Sequence, residues 1–403
     1  MRRIAIVGAG LAAVSTCDAL RSGGYDGELV LFSAEEGLPY DRPPLSKDVL
    51  LGKARREDIM LRPAEWYEQQ GVELWPGTTV SGIRPAEGAV ELSGGSVVSA
   101  DRIVLATGGT PRALPVPGGD DPAVHLLRTW EESERLRERL LPGARVAVVG
   151  AGLIGAETAA VAGALGCRVT LIDPVPVPLV AAVGSEIAEA LHQRHTAEGI
   201  RVVTGGVERI ERRPGVDEVV LHVTGLAEPL PADTVVVGIG IRPATALAEA
   251  AGLKVDNGIV VDHEQRASQP NVFAVGDVAR RDGHAVRHEH WDAAQRGGQA
   301  AAAGLLGRPV PAEQALWFWS DRHGSRLEAV GTMADADRTV LRGSPDGGAF
   351  TAFGLRADRL VAAAAIDRGR DIKAAQRLID RGVAVDATRL ADESADLRTL
   401  LRG

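Results

Sequence analysis

Two strand–glycine turn–helix signatures and a late change to strand-and-turn character predict an α/β fold: two Rossmann-like units followed by a small α+β domain. In the first signature residues 2–7 run into Gly8-Ala-Gly10-Leu-Ala-Ala13; in the second Arg145–Val149 runs into Gly150-Ala-Gly152-Leu-Ile-Gly155 and an Ala-rich stretch. The first glycine of each permits a tight turn, the second lets backbone approach a pyrophosphate, and the third position (Ala13 or Gly155) brings helix and strand close. The helix N-terminus adds free N–H groups and partial positive charge. One such signature is weak; its repetition in one chain is strong.

At 403 residues the chain exceeds one ordinary core, so two or three domains are expected. A hydrophobic content of 45% and charged content of 25% describe a soluble globular protein. The net charge of −9 excludes a general nucleic-acid binder, which needs a basic surplus to displace counterions. The longest apolar-or-glycine runs, such as 146–156, are too short to span a membrane. The basic start Met1-Arg2-Arg3 leads directly into the first glycine turn, so it reads as a strand rather than a signal peptide. Cys17 and Cys167 form no CxxC pair, which predicts a cytoplasmic protein without a redox disulfide.

Taken in order, residues 11–21 read as a helix closed by Gly23 and Gly24, and Glu28–Phe32 as the second strand. A ribose-binding carboxylate is expected near that strand's end. Ser33 and Ala34 stand there, which makes Glu35, just beyond, the candidate acting from the loop. The segment Pro39-Tyr-Asp-Arg42-Pro-Pro-Leu-Ser-Lys47 is stiffened by three prolines. Lys47 is one of only four lysines, so its place in a rigid loop suggests function, against the plain alternative of a surface charge. Residues 54–70 suggest short helix. Residues 101–109 form a buried strand ending in Ala106-Thr107-Gly108-Gly109, where backbone can pass close to a flat ligand or simply turn.

Residues 129–141 read as a charged helix broken by Pro142-Gly143. Beyond the second signature, residues 167–172 form a strand ending at Asp173, 18 residues after Gly155. That is the position of a carboxylate that binds a ribose 2′-hydroxyl and selects NAD over NADP. Residues 174–180 contain no Arg or Lys to receive a 2′-phosphate. Residues 186–198 read as a helix whose His192 and His195, lacking a supporting carboxylate or Cys motif, are expected to be solvated rather than metal-bound. Strands follow at 201–203, 218–223 and Thr234–Val237, the last reaching Gly238-Ile-Gly240.

Residues 271–277 deliver Asp277 after Gly276, as a ligand contact or a helix cap. His284, His288 and His290 cluster with Glu289, but irregular spacing argues against a metal, and none is assigned. Residues 291–306 form an Ala/Gly-rich helix suited to close packing. From Trp317-Phe-Trp319-Ser-Asp321 onward strands and turns dominate, with a hairpin over 350–355 and 359–364. Asp371 is expected to cap a helix over 372–381 that ends at Gly382.

This arrangement resembles the glutathione-reductase-like flavoproteins across essentially the whole chain. The segments PYDRPPLSK, GAGLIGAE and WFWSD resemble more narrowly the ferredoxin reductase components of bacterial oxygenase systems. The resemblance implies an FAD domain (1–110 and 238–315), an NADH domain inserted in it (111–237) and a C-terminal α+β domain (316–403). It implies that Gly8, Gly10, Ala13, Arg42, Lys47, Ala106, Thr107, Gly108, Arg128, Gly276, Asp277 and Trp319 serve FAD. Trp317 would partner Trp319 there, and plain aromatic core is the alternative for both. Gly150, Gly152, Gly155 and Asp173, with Gly240 at the neighbouring strand's end, would serve NADH. Glu157 would face the nicotinamide and pair with Lys47 as the catalytic couple, although a Glu in a helix's first turn is also favoured by the dipole alone.

The implied activity is hydride transfer from NADH to FAD, then single-electron transfer to a small iron–sulfur ferredoxin that feeds a Rieske dioxygenase or cytochrome P450. Rubredoxin reductase and a slow NADH-binding sensor of the apoptosis-inducing-factor type are the alternatives. Thiol-dependent relatives carry a redox cysteine near the flavin, and neither Cys17 nor Cys167 occupies such a motif. Arg55, Arg56, Arg308 and Arg322 are candidates for docking an acidic carrier.

Overall fold

A computed structural model describes residues 1–284 and 286–402. The chain forms two compact units. One comprises residues 1–42, 55–110 and 241–312; the other comprises 43–54, 111–240 and 313–403.

The first unit is built on a parallel five-stranded sheet in the order Val272–Ala274, Arg102–Leu105, Arg3–Val7, Glu28–Phe32, Val72–Trp75. Its central strand, RIAIV, is apolar and buried from Ile4 to Val7 because both faces of the sheet are covered. Val7 pairs with Phe32 on one side and Leu105 on the other, so three strands end together at the first glycine turn. The helix Leu11–Ser22 follows that turn and packs against the helix Trp291–Leu305. Small residues set this approach: a Cβ on Gly298 would lie 2.7 Å from the Ala12 carbonyl oxygen. The Ala/Gly-rich helix thus packs as its composition predicts. The predicted helical stretch at 54–70 resolves into a 3₁₀ turn, Arg56–Ile59, and a short helix, Ala64–Gln69.

The second unit repeats the plan, with a parallel sheet ordered Arg201–Thr204, Arg168–Asp173, Arg145–Val149, Thr234–Val237, Val124–His125. Val149 pairs with Ile172 and Val237, again bringing strand ends together at a glycine turn. The charged helix is Trp130–Arg139, opened by a capping box in which the Thr129 hydroxyl accepts from Glu132 N and the Glu132 carboxylate from Thr129 N. The same unit holds an antiparallel sheet ordered Trp317–Arg322, Ser325–Gly331, Arg359–Ile366, Phe350–Arg356, Arg338–Arg342, covered by the helix Gly369–Arg381.

Asp371 departs from expectation. The helix starts two residues earlier, and Asp371 lies buried within its first turn. There it accepts from the Thr351 hydroxyl at 2.9 Å and pairs with Arg368 and Arg342. Arg342 in turn donates to the carbonyls of Leu390, Asp392, Glu393 and Ala395, tying the chain's end to the sheet. No helix among the described residues is long and apolar enough to cross a membrane.

Candidate functional site

The two glycine turns are near copies. Gly8 and Gly150 both have φ of 100°, a left-handed conformation open to glycine and strained for other residues. Gly10 and Gly152 cap the following helices in extended conformation, and a Cβ on either would meet nothing within 4 Å. Open space therefore lies directly over the backbone at the N-terminus of each helix, where a pyrophosphate would sit. Behind it packing is tight: a Cβ on Gly8 would lie 2.3 Å from the Ala106 carbonyl oxygen, and one on Gly155 only 1.9 Å from that of Gly150. Ala13, the first unit's counterpart of Gly155, is fully buried. These residues fit a dinucleotide in each unit.

In the first unit Gly8, Gly10, Ala13, Glu35, Arg42, Ala106, Thr107, Gly108, Gly276 and Asp277 occur together. Glu35 does reach back from the loop, but as part of a cluster. Its Oε1 accepts from Arg42 Nη2 at 2.6 Å and its Oε2 from the Tyr40 hydroxyl. Burial works against the charge on Glu35; Arg42, Tyr40 and Arg56 outweigh it and hold the carboxyl below its usual range. Burial likewise works against the Arg42 guanidinium, yet Glu35, Tyr40 and Asp277 leave it above its usual range. Each carboxylate oxygen of Glu35 retains a second lone pair for a ribose hydroxyl.

The Thr107 hydroxyl donates to the Ala244 carbonyl at 2.8 Å, and Gly108 takes φ of 65°, which fixes the small-residue turn. Asp277 lies in a 3₁₀ turn, Gly276–Val278, capped by Val275, and so is no cap for the helix that starts at Trp291. The Trp291 indole N–H donates to Asp41 at 3.0 Å, a tie absent from the sequence reading.

In the second unit Lys47, Arg128, Gly150, Gly152, Gly155, Glu157, Asp173, Trp319 and Gly240 occur together. Asp173 is held by two backbone donors, Ala151 N at 2.7 Å and Val175 N at 2.8 Å, which join the strand's end to the glycine turn. Arg128 N donates to Glu132 at 2.7 Å, and Gly240, at φ of 93°, accepts from Arg112 N at 2.9 Å.

Glu157 is the centre of this unit's polar chemistry. It is the fifth residue of the helix Leu153–Ala164, beyond the first turn, so the dipole alone does not account for it. Its side chain is nearly enclosed, at 4% exposure, and accepts from Ser46 Oγ at 2.6 Å and Ser320 Oγ at 2.7 Å. Lys47 Nζ lies 3.2 Å from its Oε1 and 3.7 Å from Asp321. The same ammonium stands 5.4 Å from the centre of the Trp319 ring, which stacks on Trp317 at 4.8 Å, with Arg326 also over it. Both tryptophans are half-buried, and Trp317 packs against the core of the C-terminal sheet. Sequence reading found Lys47, Glu157 and Trp319 but missed Ser46, Ser320 and Asp321. The available signal was alternation: in the strand Trp317–Arg322 the buried positions are Phe318, Ser320 and Arg322, and a buried hydroxyl needs a partner.

Arg322 corrects an expectation. It is 5% exposed and so no docking residue; its Nε and Nη2 lack a hydrogen-bond partner among the described residues. Burial pulls its pKa down to about 10, Glu157 opposing and Arg194 assisting. A base whose folded pKa lies below its unfolded value destabilises the fold at every pH below both. Arg322→Met is therefore expected to leave the denaturant midpoint at neutral pH unchanged or to raise it, by up to about 4 kcal/mol in stability. Urea unfolding checks this; a fall in the midpoint would show that the guanidinium supports the fold. Of the other docking candidates, Arg55 is exposed and paired with Glu57, Arg56 donates to the Glu36 carbonyl, and Arg308 is exposed.

His195 is likewise buried rather than solvated, with its Nδ1 2.9 Å from His323 Nε2. Burial, Arg322 and the neighbouring histidines push its pKa down to about 3, which keeps it neutral. Among the described residues no group of three or more His, Cys, Asp or Glu is arranged to hold a metal. Neither cysteine is bonded, and burial pushes the Cys17 thiol up to about 12, far from a reactive thiolate.

Two glycine cradles on two parallel sheets, joined to a distinct C-terminal sheet, define an oxidoreductase of the two-dinucleotide type. The chain belongs to the pyridine nucleotide-disulphide oxidoreductase family, which it matches over residues 2–298, and residues 317–401 match the reductase C-terminal family. It is 41% identical to the ferredoxin–NAD(+) reductase component of the anthranilate 1,2-dioxygenase system of Burkholderia cepacia, over 98% of each chain. It is 36% identical to the corresponding subunit of the benzene 1,2-dioxygenase system of Pseudomonas putida, over 99% of this chain and 97% of that one. Among solved structures, putidaredoxin reductase in covalent complex with putidaredoxin is similar at a TM-score of 0.95 and 35% identity, covering 100% of this chain and 98% of the other.

Proposed function

We propose that this chain is an NADH-dependent ferredoxin reductase, which takes a hydride from NADH and passes single electrons to a small iron–sulfur ferredoxin of a cytoplasmic oxygenase system. The observation that carries the reading is the Lys47–Glu157 pair set at the second glycine cradle and beside Trp319. The similar reductases named above support the assignment of acceptor.

FAD supplies the conversion of one hydride into two single electrons. The protein's part is binding, orientation and charge. Residues 1–110 and 238–315 form the FAD domain in this reading, 111–237 the NADH domain and 316–403 the C-terminal domain. Gly8, Gly10 and Ala13 hold the FAD pyrophosphate at the helix N-terminus. Glu35 takes the adenosine ribose, and Asp277 with Gly276 holds the ribityl end. Arg42, Ala106, Thr107 and Gly108 would serve the flavin from the first unit, and Arg128 and Trp319 are assigned to FAD by the resemblance.

Gly150, Gly152, Gly155 and Gly240 shape the NADH site. Asp173, fixed by two backbone donors, takes the ribose hydroxyl and repels a 2′-phosphate. Glu157 presents a carboxylate to the nicotinamide, and Lys47 supplies the adjacent positive charge. Neither Cys17 nor Cys167 stands in a redox motif, so in this reading electrons leave directly for the carrier.

The purified holoprotein is expected to show flavin absorbance bleached anaerobically by NADH, with NADPH about a hundredfold less efficient because like charges in contact cost several kcal/mol. Steady-state cytochrome c reduction should depend on added ferredoxin. Oxidised flavin persisting under NADH overturns the reading. A slow rate indifferent to ferredoxin favours the sensor, and a rate specific to rubredoxin favours rubredoxin reductase.

A further inference from the structure

We propose that the hydroxyls of Ser46 and Ser320 are a positioning pair that fixes the plane of the Glu157 carboxylate for the reaction, an inference that rests on the reading of Glu157 given above. The two donors come from separate segments: Ser46 ends the 3₁₀ turn Pro43–Ser46, and Ser320 sits on the buried face of the strand Trp317–Arg322. They take opposite oxygens, Ser46 Oγ to Oε2 at 2.6 Å and Ser320 Oγ to Oε1 at 2.7 Å. The terminal torsion of a Glu side chain is soft and broad. Hydroxyl donors on both oxygens remove that freedom, because rotating the plane breaks one bond or the other.

Neither serine is free for another task. Ser320 is fully buried and makes no other side-chain hydrogen bond among the described residues. The second acceptor near Ser46 Oγ, the Pro43 carbonyl, is 3.4 Å away, so its proton goes to Glu157. Lys47 by contrast is shared: Oε1 of Glu157 at 3.2 Å, Asp321 at 3.7 Å and the Trp319 face at 5.4 Å all lie within its reach. An ammonium divided among three partners is a poor clamp and a good counter-charge. The serines hold the carboxylate still, and Lys47 is left to balance charge beside it. Outer donors that orient metal-ligating side chains change activity 10–100-fold when removed, and donors that orient a carboxylate are expected to act on the same scale.

The test is anaerobic stopped-flow reduction of the holoprotein by NADH for Ser46→Ala, Ser320→Ala, Ser320→Thr and Glu157→Ala. Positioning predicts that each serine-to-alanine variant keeps its flavin and its half-saturating NADH concentration. Its limiting reduction rate falls ~10-fold, and Ser320→Thr, which keeps the hydroxyl, restores most of it. If Ser320→Ala fails to fold, Ser46→Ala on the separate loop decides alone. A limiting rate unchanged in the alanine variants, or lowered equally in Ser320→Thr, overturns the pair while leaving the role of Glu157 standing. An unchanged rate in Glu157→Ala instead overturns the reading of Glu157 itself.

Discussion

Gly155→Ala is expected to abolish NADH binding while leaving flavin in place. Alanine is normally preferred to glycine inside a helix by about 1 kcal/mol. At this position the added Cβ would lie 1.9 Å from the Gly150 carbonyl oxygen, a backbone atom in the turn itself. Relief to ordinary contact requires the helix to retreat by about 1.5 Å, and its opposite face is itself packed, with Glu157 buried against Ser320 of the strand Trp317–Arg322. Whatever shift does occur carries the N-terminal N–H groups away from the pyrophosphate position. Gly163→Ala is the control: it lies in the same helix, its nearest neighbour is the Ile200 side chain at 3.7 Å, and it is expected to stabilise by about 0.5–1 kcal/mol with NADH affinity unchanged. Equilibrium titration with NADH and the flavin-to-protein absorbance ratio measure both effects. Wild-type affinity in Gly155→Ala would show that the helix does not need this approach to bind nucleotide.

The same contrast explains what was legible in the sequence. The parallel strands and both glycine turns are local: apolar runs of four, a left-handed glycine, then a helix, all within a window of some 20 residues. The place of Asp173 at its strand's end was legible because its partners are near in sequence, Ala151 N in the preceding glycine turn and Val175 N two residues on. Lys47, Glu157 and Trp319 were recognised through their motifs, but their company was not, because Ser46, Ser320 and Asp321 matter only once segments 111 and 163 positions apart converge on one carboxylate.

The errors have the same origin. Asp371 has the residue type of a cap, yet tertiary partners on Thr351, Arg342 and Arg368 draw it into the helix. His195 and Arg322 are polar residues that local pattern places at the surface, and packing of the helix Ser185–Ala197 against the C-terminal sheet buries both. Glu35 stood out in the sequence only as a ribose candidate, and its ties to Tyr40 and Arg42 depend on how the proline loop folds back.

Glu157→Ala is expected to slow flavin reduction by NADH at least about a hundredfold, since misplacement at a reacting centre alone costs that much, while flavin content stays at the wild-type level. Removing the carboxylate also leaves the Ser46 and Ser320 hydroxyls and the Lys47 ammonium without their shared partner, so a loss of about 3–5 kcal/mol in stability should accompany the kinetic effect. Glu157→Gln separates the two consequences. An amide has the same shape, its oxygen accepts from one serine, and the other hydroxyl can turn to accept from the amide nitrogen. Lys47 has no lone pair to do likewise, so packing is restored and charge balance is not. If the carboxylate acts through its charge, Glu157→Gln regains stability and stays slow; if it acts through shape alone, both return together. Reduction by dithionite serves as the control that the flavin itself remains reducible. Wild-type reduction kinetics in both variants would leave Glu157 as a buried link among three segments and move the hydride-transfer site elsewhere.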